Sequence, residues 1–459
     1  MSIRRSAGGI FWGLILIAVG GLFLARNLGY SIPIWRGIAR YWPLLLIVWG
    51  GLKLVDYFRY RRSGEDRPLF SGGEVALLIM VILAGTAVTT AANISPNFGN
   101  IGNIFEIGDL DLWDITGNNF EYSEHQEADV PSGSTIEILN MFGNVDVQPS
   151  DRDRVILDVK KTVRASDKDE ADRRSKDFTF SITNEGSKYR IASNRDQPGR
   201  QRRYFKSSMT IQVPKQSLLQ IDNRQGRVTV QNLLGRQNIV NRFGPVDVRR
   251  ITGVLEVENR NGAVTVEEVT ESVTINNSYS STSARNIGGN LEIRNRNGSV
   301  NVSGVQGTAT IANSYGPITV ENVQRDVSIT GRNNSVEVER VEGGVTVEAS
   351  YQNVNVRDAK GSVTVKNRNG DVVIGFANPP QKDISVSTQY SNVTLELPSM
   401  ASFSIDAKTR YGSIDSEFDG LNNDVSSNRE RSLRGRLGKD GPQIHIDTRN
   451  GDIRLEKKG

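Results

Sequence analysis

The sequence predicts an all-β, single-stranded parallel β-solenoid with an 18-residue repeat, preceded by an N-terminal three-helix transmembrane region. Three observations carry this reading. One turn position recurs at every eighteenth residue without an insertion: Gly226, Gly244, Gly262, Ser280, Gly298, Gly316, Asn334, Gln352 and Gly370. On both sides of it β-branched residues alternate with polar ones. Three apolar stretches, Gly8–Ala25, Trp42–Tyr57 and Val75–Ala92, open the chain. Self-similarity at a fixed short period marks stacked units, each covering the apolar face of its neighbour.

The unit is legible in 257–276. A strand at Val257 runs into a turn at Arg260, Asn261 and Gly262; a second strand carries Val264, Val266 and Val269; a turn near Glu271 leads to Val273 and Ile275. Alternation of this kind, bounded by Gly and Asn, predicts strands with one buried face. Gly and Asn suit the turn because both tolerate positive φ. With 18 residues per coil, equivalent positions stack at ~4.8 Å and the repeats build a rod ~40 Å long. A 36-residue coil is the alternative, and it would stack guanidinium directly on guanidinium.

An asparagine stands three places before the turn residue at Asn223, Asn241, Asn259, Asn277, Asn295, Asn313 and Asn367. Stacked amides offer donors and acceptors to one another, so these are expected to form a structural ladder bonded along the rod. A second alternation has period 36. Arg260, Arg296, Arg332 and Arg368 alternate with serines, and Tyr279, Tyr315 and Tyr351 alternate with asparagines. Successive arginines then lie two coils apart, ~9.6 Å. That edge is a candidate for holding an anionic polymer; the competing reading is a solvated turn edge.

Composition narrows the chemistry. Of 459 residues none is cysteine, which removes disulfides and thiol chemistry. The net charge of +4 comes from mixed signs, without the dense basic stripe a nucleic acid requires. The two histidines, His125 and His445, lie far apart with no second catalytic signal near either. Asp109, Asp111 and Asp114 lack the glycine and spacing of a calcium loop. No unit concentrates paired carboxylates of the kind glycan cleavage uses. The expectation is a non-enzyme with no cofactor, no metal and no catalytic residue.

The predicted organisation is a membrane region at 1–95, with helices about 8–26, 41–58 and 74–92; an extracytoplasmic linker at 96–127; first strands and a cap at 128–215; and solenoid repeats at 216–459. In the cap, a polar helix is expected around Asp167–Lys176 between strands at Val155–Val163, Phe178–Ile182 and Tyr189–Ala192. Toward the end, Ser391 and Gly412 follow at steps of 21, and Asn422–Gly441 reads as a mobile loop. Arg4, Arg5, Arg59, Arg61, Arg62 and Arg67 flank the first two apolar stretches, whereas 93–151 has no Lys or Arg. By the positive-inside rule the amino terminus is cytoplasmic and the carboxyl-terminal part extracytoplasmic.

Two resemblances add to this. Phe11–Leu54, with FWGLILIAVGGLFLARNLGY and YWPLLLIVWGGLKL, resembles the membrane module of LiaF-type envelope-stress proteins. Residues 128–459, with VPKQSLLQIDNRQGRVTV at 213–230 and IDTRNGDIRLEKK at 446–458, resemble the bacterial putative-adhesin family of polar β-strand repeats. The likeness implies an adhesin-like binding or scaffold protein of the cell envelope, anchored in the cytoplasmic membrane, and transfers no catalytic residue. The partners it suggests are cell-wall or surface glycans. The first module implies the alternative, a regulatory protein of an envelope-stress response with a membrane-protein partner. Glycines in its helices allow close contact and hence a homo-oligomer.

Overall fold

The computed structural model describes residues 118–195, 205–425 and 430–458. The three predicted membrane helices fall outside these residues. The compact unit begins at Thr116, and its first strand, β1 (Asn118–Asp129), starts ahead of the boundary expected at 128.

One coil is 18 residues long and contributes one strand to each of two sheets. The first regular coil consists of β8 (Leu218–Gln225) and β9 (Val228–Leu234). Each later coil repeats the pair in parallel register, as in Ile239↔Val257↔Ile275 on one sheet and Val248↔Val266↔Ala284 on the other. The core is two sheets thick. In Leu255–Asn261 the residues Leu255, Val257 and Asn259 point inward, and in Val264–Val269 it is Val264, Val266 and Val269.

That second strand breaks alternation for a physical reason. Glu267 and Glu268 both face outward, and Glu268 is left-handed with φ 59°. The bulge returns Val269 to the core, so three apolar residues of six are buried. The same left-handed position recurs at Asn232, Arg250, Asn286, Gly304, Asn322, Arg340 and Asp358, once per coil. At the other corner the coils approach so closely that a Cβ on Gly262 would lie 2.1 Å from the Gly244 carbonyl oxygen.

The ends are built differently. β2 (Thr135–Asn140) and β3 (Val145–Ser150) form a coil next to β8 and β9. The chain then leaves through β4 (Arg154–Ala165), the helix α1 (Lys168–Lys176) and β5 (Phe180–Asn184). It returns as β6 (Lys188–Ser193) and β7 (Phe205–Pro214), which lie parallel to β2 and β3 on their outer side. The earlier coil is thus clamped between a later one and the rod. β1 and β4 close this end as antiparallel strands.

The helix is pinned by few but specific contacts. Asp167 caps it by accepting from the Glu170 amide at 2.8 Å. The Tyr122 hydroxyl donates to Asp172 at 2.6 Å; burial and this bond push its pKa up to about 12. The Lys161 ammonium is buried, 2.6 Å from Glu124 and 2.6 Å from the Phe178 carbonyl oxygen.

The carboxyl-terminal end repeats the manoeuvre in mirror order. After Ile384–Tyr390 and Val393–Pro398, the chain first makes the outermost coil, Phe403–Thr409 with Ile414–Ser416. Only then does it return to insert Gln443–Thr448 and Ile453–Lys458 between the two, with Val386↔Ile446↔Ala407 and Leu395↔Leu455↔Ser416. Gly451, not Gly412, therefore stacks on Ser391, correcting the order expected from the steps of 21. The supposed mobile loop is also corrected: Asn422–Val425 and Arg431–Leu437 are antiparallel strands covering that end.

Candidate functional site

The asparagines share one register along the rod, but they bond differently from a continuous amide ladder. Among the described residues, one amide of the column donates to the next only from Asn140 to Asn223 (2.8 Å) and from Asn223 to Asn241 (2.9 Å). Beyond that each amide bridges two turn carbonyl oxygens, its own coil's and its neighbour's. Asn259 Nδ2 donates to Gly262 at 2.8 Å and to Gly244 at 3.2 Å; Asn313 and Asn367 do the same. On Asn277, Asn295 and Asn367 the oxygen accepts from the next residue's amide, fixing the backbone of the edge residue.

Where Gly331 interrupts the series, Asn334 reaches in instead. It donates to the Gly316 carbonyl oxygen and accepts from the Arg332 amide at 2.7 Å. Toward the carboxyl-terminal end Thr388, Thr409 and Thr448 hydroxyls take over the turn carbonyls. The sequence signal for this substitution was the position alone, since Thr is not an amide.

On this scaffold Arg260, Arg296, Arg332 and Arg368 all lie exposed on one face of one sheet. Tyr279, Tyr315 and Tyr351 stand at the adjacent turn edge, 45%, 51% and 49% exposed, leaving about half of each side chain free to touch a ligand. Tyr390 and Tyr411 extend the column at 52% and 53%. The Arg296 guanidinium lies 5.9 Å from the Tyr279 ring centre, within cation–π range. Among the described residues, Arg260, Arg332 and Arg368 have no ion-pair or side-chain hydrogen-bond partner. Elsewhere some outward arginines are paired, as Arg249 is with Asp247 at 2.8 Å and Arg340 with Glu321 at 2.9 Å, and others, Arg285 and Arg325 among them, stand exposed without such a partner among the described residues.

A shallow groove of about 910 Å³ runs along this face, lined by Arg294, Arg332, Lys366 and Arg368, by Glu348, which pairs with Lys366 at 2.9 Å, and by small residues such as Ala312 and Ser350. Arg449 and Arg410 join the same column through the inserted coil, because Thr448 pairs with both Thr388 and Thr409. Sequence reading missed them as edge residues. The Arg449-Asn450-Gly451 triplet copies Arg260-Asn261-Gly262, and that was the available clue.

The histidines serve other ends. His125 bridges Asp158 at 2.7 Å and Glu127 at 3.2 Å on the cap, and those two hydrogen bonds raise its pKa. His445 sits on the inserted coil between Ser385 and Asp406. Asp109, Asp111 and Asp114 lie outside the described residues. Among the described residues no three or more His, Asp or Glu side chains group so as to hold a metal.

Rod, cap and turn edge together define a two-sheet parallel β-solenoid. The Toastrack DUF4097 family matches residues 134–456, and the chain belongs to that family. The LiaI-LiaF-like transmembrane region matches residues 10–54, giving the amino terminus a membrane-associated module. No curated protein matches. Among solved structures, a putative cell adhesion protein from Clostridium sporogenes is similar at 9% identity, covering 74% of this chain and all (100%) of its own, with a TM-score of 0.15. A putative adhesin from Bacteroides fragilis is similar at 15% identity, covering 49% and 97%, with a TM-score of 0.22. Such overlays carry no weight for this chain's function.

Proposed function

We propose that this protein is a membrane-anchored, extracytoplasmic solenoid that binds an anionic polymer of the cell envelope along its arginine and tyrosine edge, without catalysis. The observation that carries the reading is the column of unpaired guanidinium groups. A surface selected only for solubility intersperses both signs, and this rod does so at Lys360–Glu342 and, beside the edge itself, at Lys366–Glu348. Along the edge, Arg260, Arg332 and Arg368 lack any such partner among the described residues. With Arg296 included, successive edge arginines stand two coils, ~9.6 Å, apart by strand spacing, slightly beyond the Debye length at physiological salt, so a polyanion meets each of them as a nearly separate charge. Arg4, Arg5, Arg59, Arg61, Arg62 and Arg67, together with the absence of Lys and Arg from 93–151, support the extracytoplasmic placement, against the smaller counterweight of Arg36 and Arg40.

The test is co-sedimentation of the full-length protein, in nanodiscs, with cell-wall sacculi and with soluble anionic polysaccharide. Replacing Arg260, Arg296, Arg332 and Arg368 together with Ser is expected to weaken binding at least tenfold and to flatten its dependence on salt. Unchanged affinity would leave the edge structural and sink the proposal. The match at 10–54 favours a second reading, regulation through a membrane-protein partner. Retention of one membrane protein by the full chain, undisturbed by the arginine replacements, would support that instead.

A further inference from the structure

The alternation along the edge is a property of the stack in space, not of the chain in sequence. In stacking order the residue before the turn reads Phe142, Gln225, Phe243, Asn261, Tyr279, Asn297, Tyr315, Asn333, Tyr351, Asn369, Tyr390, Asn450 and Tyr411. An aromatic ring and an amide exchange at every step. The inserted carboxyl-terminal coil arrives more than thirty residues late in the chain, yet it supplies Asn450 where an amide is due, between Tyr390 and Tyr411. A pattern inherited only from tandem duplication would follow chain order and break at that coil.

From this we infer that the edge reads a linear glycan two coils at a time. The occupant is a β-linked chain whose disaccharide unit carries one carboxylate. This rests on the anionic-polymer reading above and names its substrate class. Each two-coil module, ~9.6 Å long from the strand spacing, offers one exposed ring and one amide. Over 279–368 it also offers one guanidinium, on Arg296, Arg332 and Arg368 in turn. The disaccharide of an extended β-1,4-linked glycan is of this length, so sugar and protein repeats stay in phase. A tyrosine face packs on the apolar C–H face of a pyranose while its hydroxyl remains wet. The guanidinium of the intervening coil pairs with the carboxylate, and the amide serves the sugar hydroxyls. A poly(glycerol phosphate) has charge but no ring with an apolar face, and it would leave the tyrosines idle.

The experiment is calorimetric titration of the full-length protein in nanodiscs with hyaluronan fragments of four, six, eight and ten sugars. Chitin oligosaccharides of equal length and poly(glycerol phosphate) serve as comparators. Affinity is expected to climb with each added disaccharide, with hyaluronan stronger than chitin at every length. Tyr279→Ala, Tyr315→Ala and Tyr351→Ala combined should lower hyaluronan affinity at least tenfold with the thermal transition unmoved, and the three Tyr→Phe replacements should restore it. Poly(glycerol phosphate) binding as tightly as hyaluronan, with the tyrosine variants unchanged, would overturn the glycan assignment while leaving the anionic edge standing. Binding of none of the anionic polymers would remove both. The length series on the unaltered protein is decisive even if a variant fails to fold: affinity independent of length defeats the phased module.

Discussion

The middle of the rod and its two ends solve the same problem by opposite means. From Leu218 to Gly375 each coil is covered by the next, every step has one length, and contacts are made between residues 18 apart. At the ends nothing follows to cover the last rung, and an open rung would expose unpaired strand edges. Both ends respond by placing a chain-terminal coil inside a later or earlier one, then closing with antiparallel strands. The middle is local and repetitive; the ends join residues as distant as Asn140 and Asn223, or Asp383 and Gln443. Stability in the middle is therefore shared between neighbours, whereas each end is a single closure.

The sharpest way to break this contrast is a methyl group at the crowded corner. Gly262 has φ +137°, and an added Cβ would fall 2.1 Å from the Gly244 carbonyl oxygen and 2.3 Å from its carbon. Gly262→Ala is expected to cost about 4 kcal/mol, combining a backbone conformation closed to L-residues with a forced separation of coils. Gly133 at the end also has positive φ, +84°, but nothing lies within 4 Å of a Cβ there. Gly133→Ala should cost only about 1 kcal/mol. Urea unfolding followed by far-UV circular dichroism measures both; equal losses would mean that coil-to-coil approach is not what holds the middle.

This difference also explains what could be read in advance. The 18-residue register gives the strands, the corner and the asparagine column, because a stacked position has one environment repeated many times. The same register states which segments can stack and leaves open where each one stacks. Gly412 and Gly451 both have the right turn, and only the pairing of Ile446 with Val386 and Ala407 decides their order. The left-handed column was available in outline, since Asn232, Asn286, Gly304, Asn322 and Asp358 are residue types that tolerate positive φ. Arg250, Glu268 and Arg340 hid it. The strands at Asn422–Val425 and Arg431–Leu437 were masked by polarity, because a strand that closes an end faces water over much of its surface.

A second test weighs the carbonyl bridges against their substitutes. Asn259→Ala removes two donors from the turn oxygens of Gly244 and Gly262 in a site only 2% exposed. The expected loss is about 2 kcal/mol, the worth of two buried hydrogen bonds, since Asn241 still donates to the Gly244 oxygen and Asn277 to that of Gly262. Thr448→Ala near the end removes one hydroxyl at 3.3 Å from the Ser391 oxygen and should cost about 1 kcal/mol. Hydrogen exchange at the neighbouring turn amides would locate each loss. If Asn259→Ala were neutral, shape alone would hold the corner.

The smallest effect expected lies at the amino-terminal closure and depends on pH. Glu137 on β2 meets Lys188 and Arg190 on β6, so one carboxylate ties the clamped coil to the coil outside it. Partial burial by itself would raise the Glu137 pKa, but hydrogen bonds from Lys188 and Arg190 outweigh it and hold the carboxyl below its ordinary value. A lowered folded-state pKa contributes stability that is present above the unfolded value of about 4.3 and is lost as pH falls through the folded one. Acidification from pH 5 toward 3 should therefore release protection on β6 before it affects coils of the middle. Glu137→Gln should cost about 1 kcal/mol at pH 7, a small figure because both cations remain partly in water, and it should abolish the acid dependence of β6. Hydrogen exchange of 188–193 across that pH range decides the matter: a slope that survives in Glu137→Gln would assign the acid response to another carboxylate, with Asp172 beneath Tyr122 the next to replace.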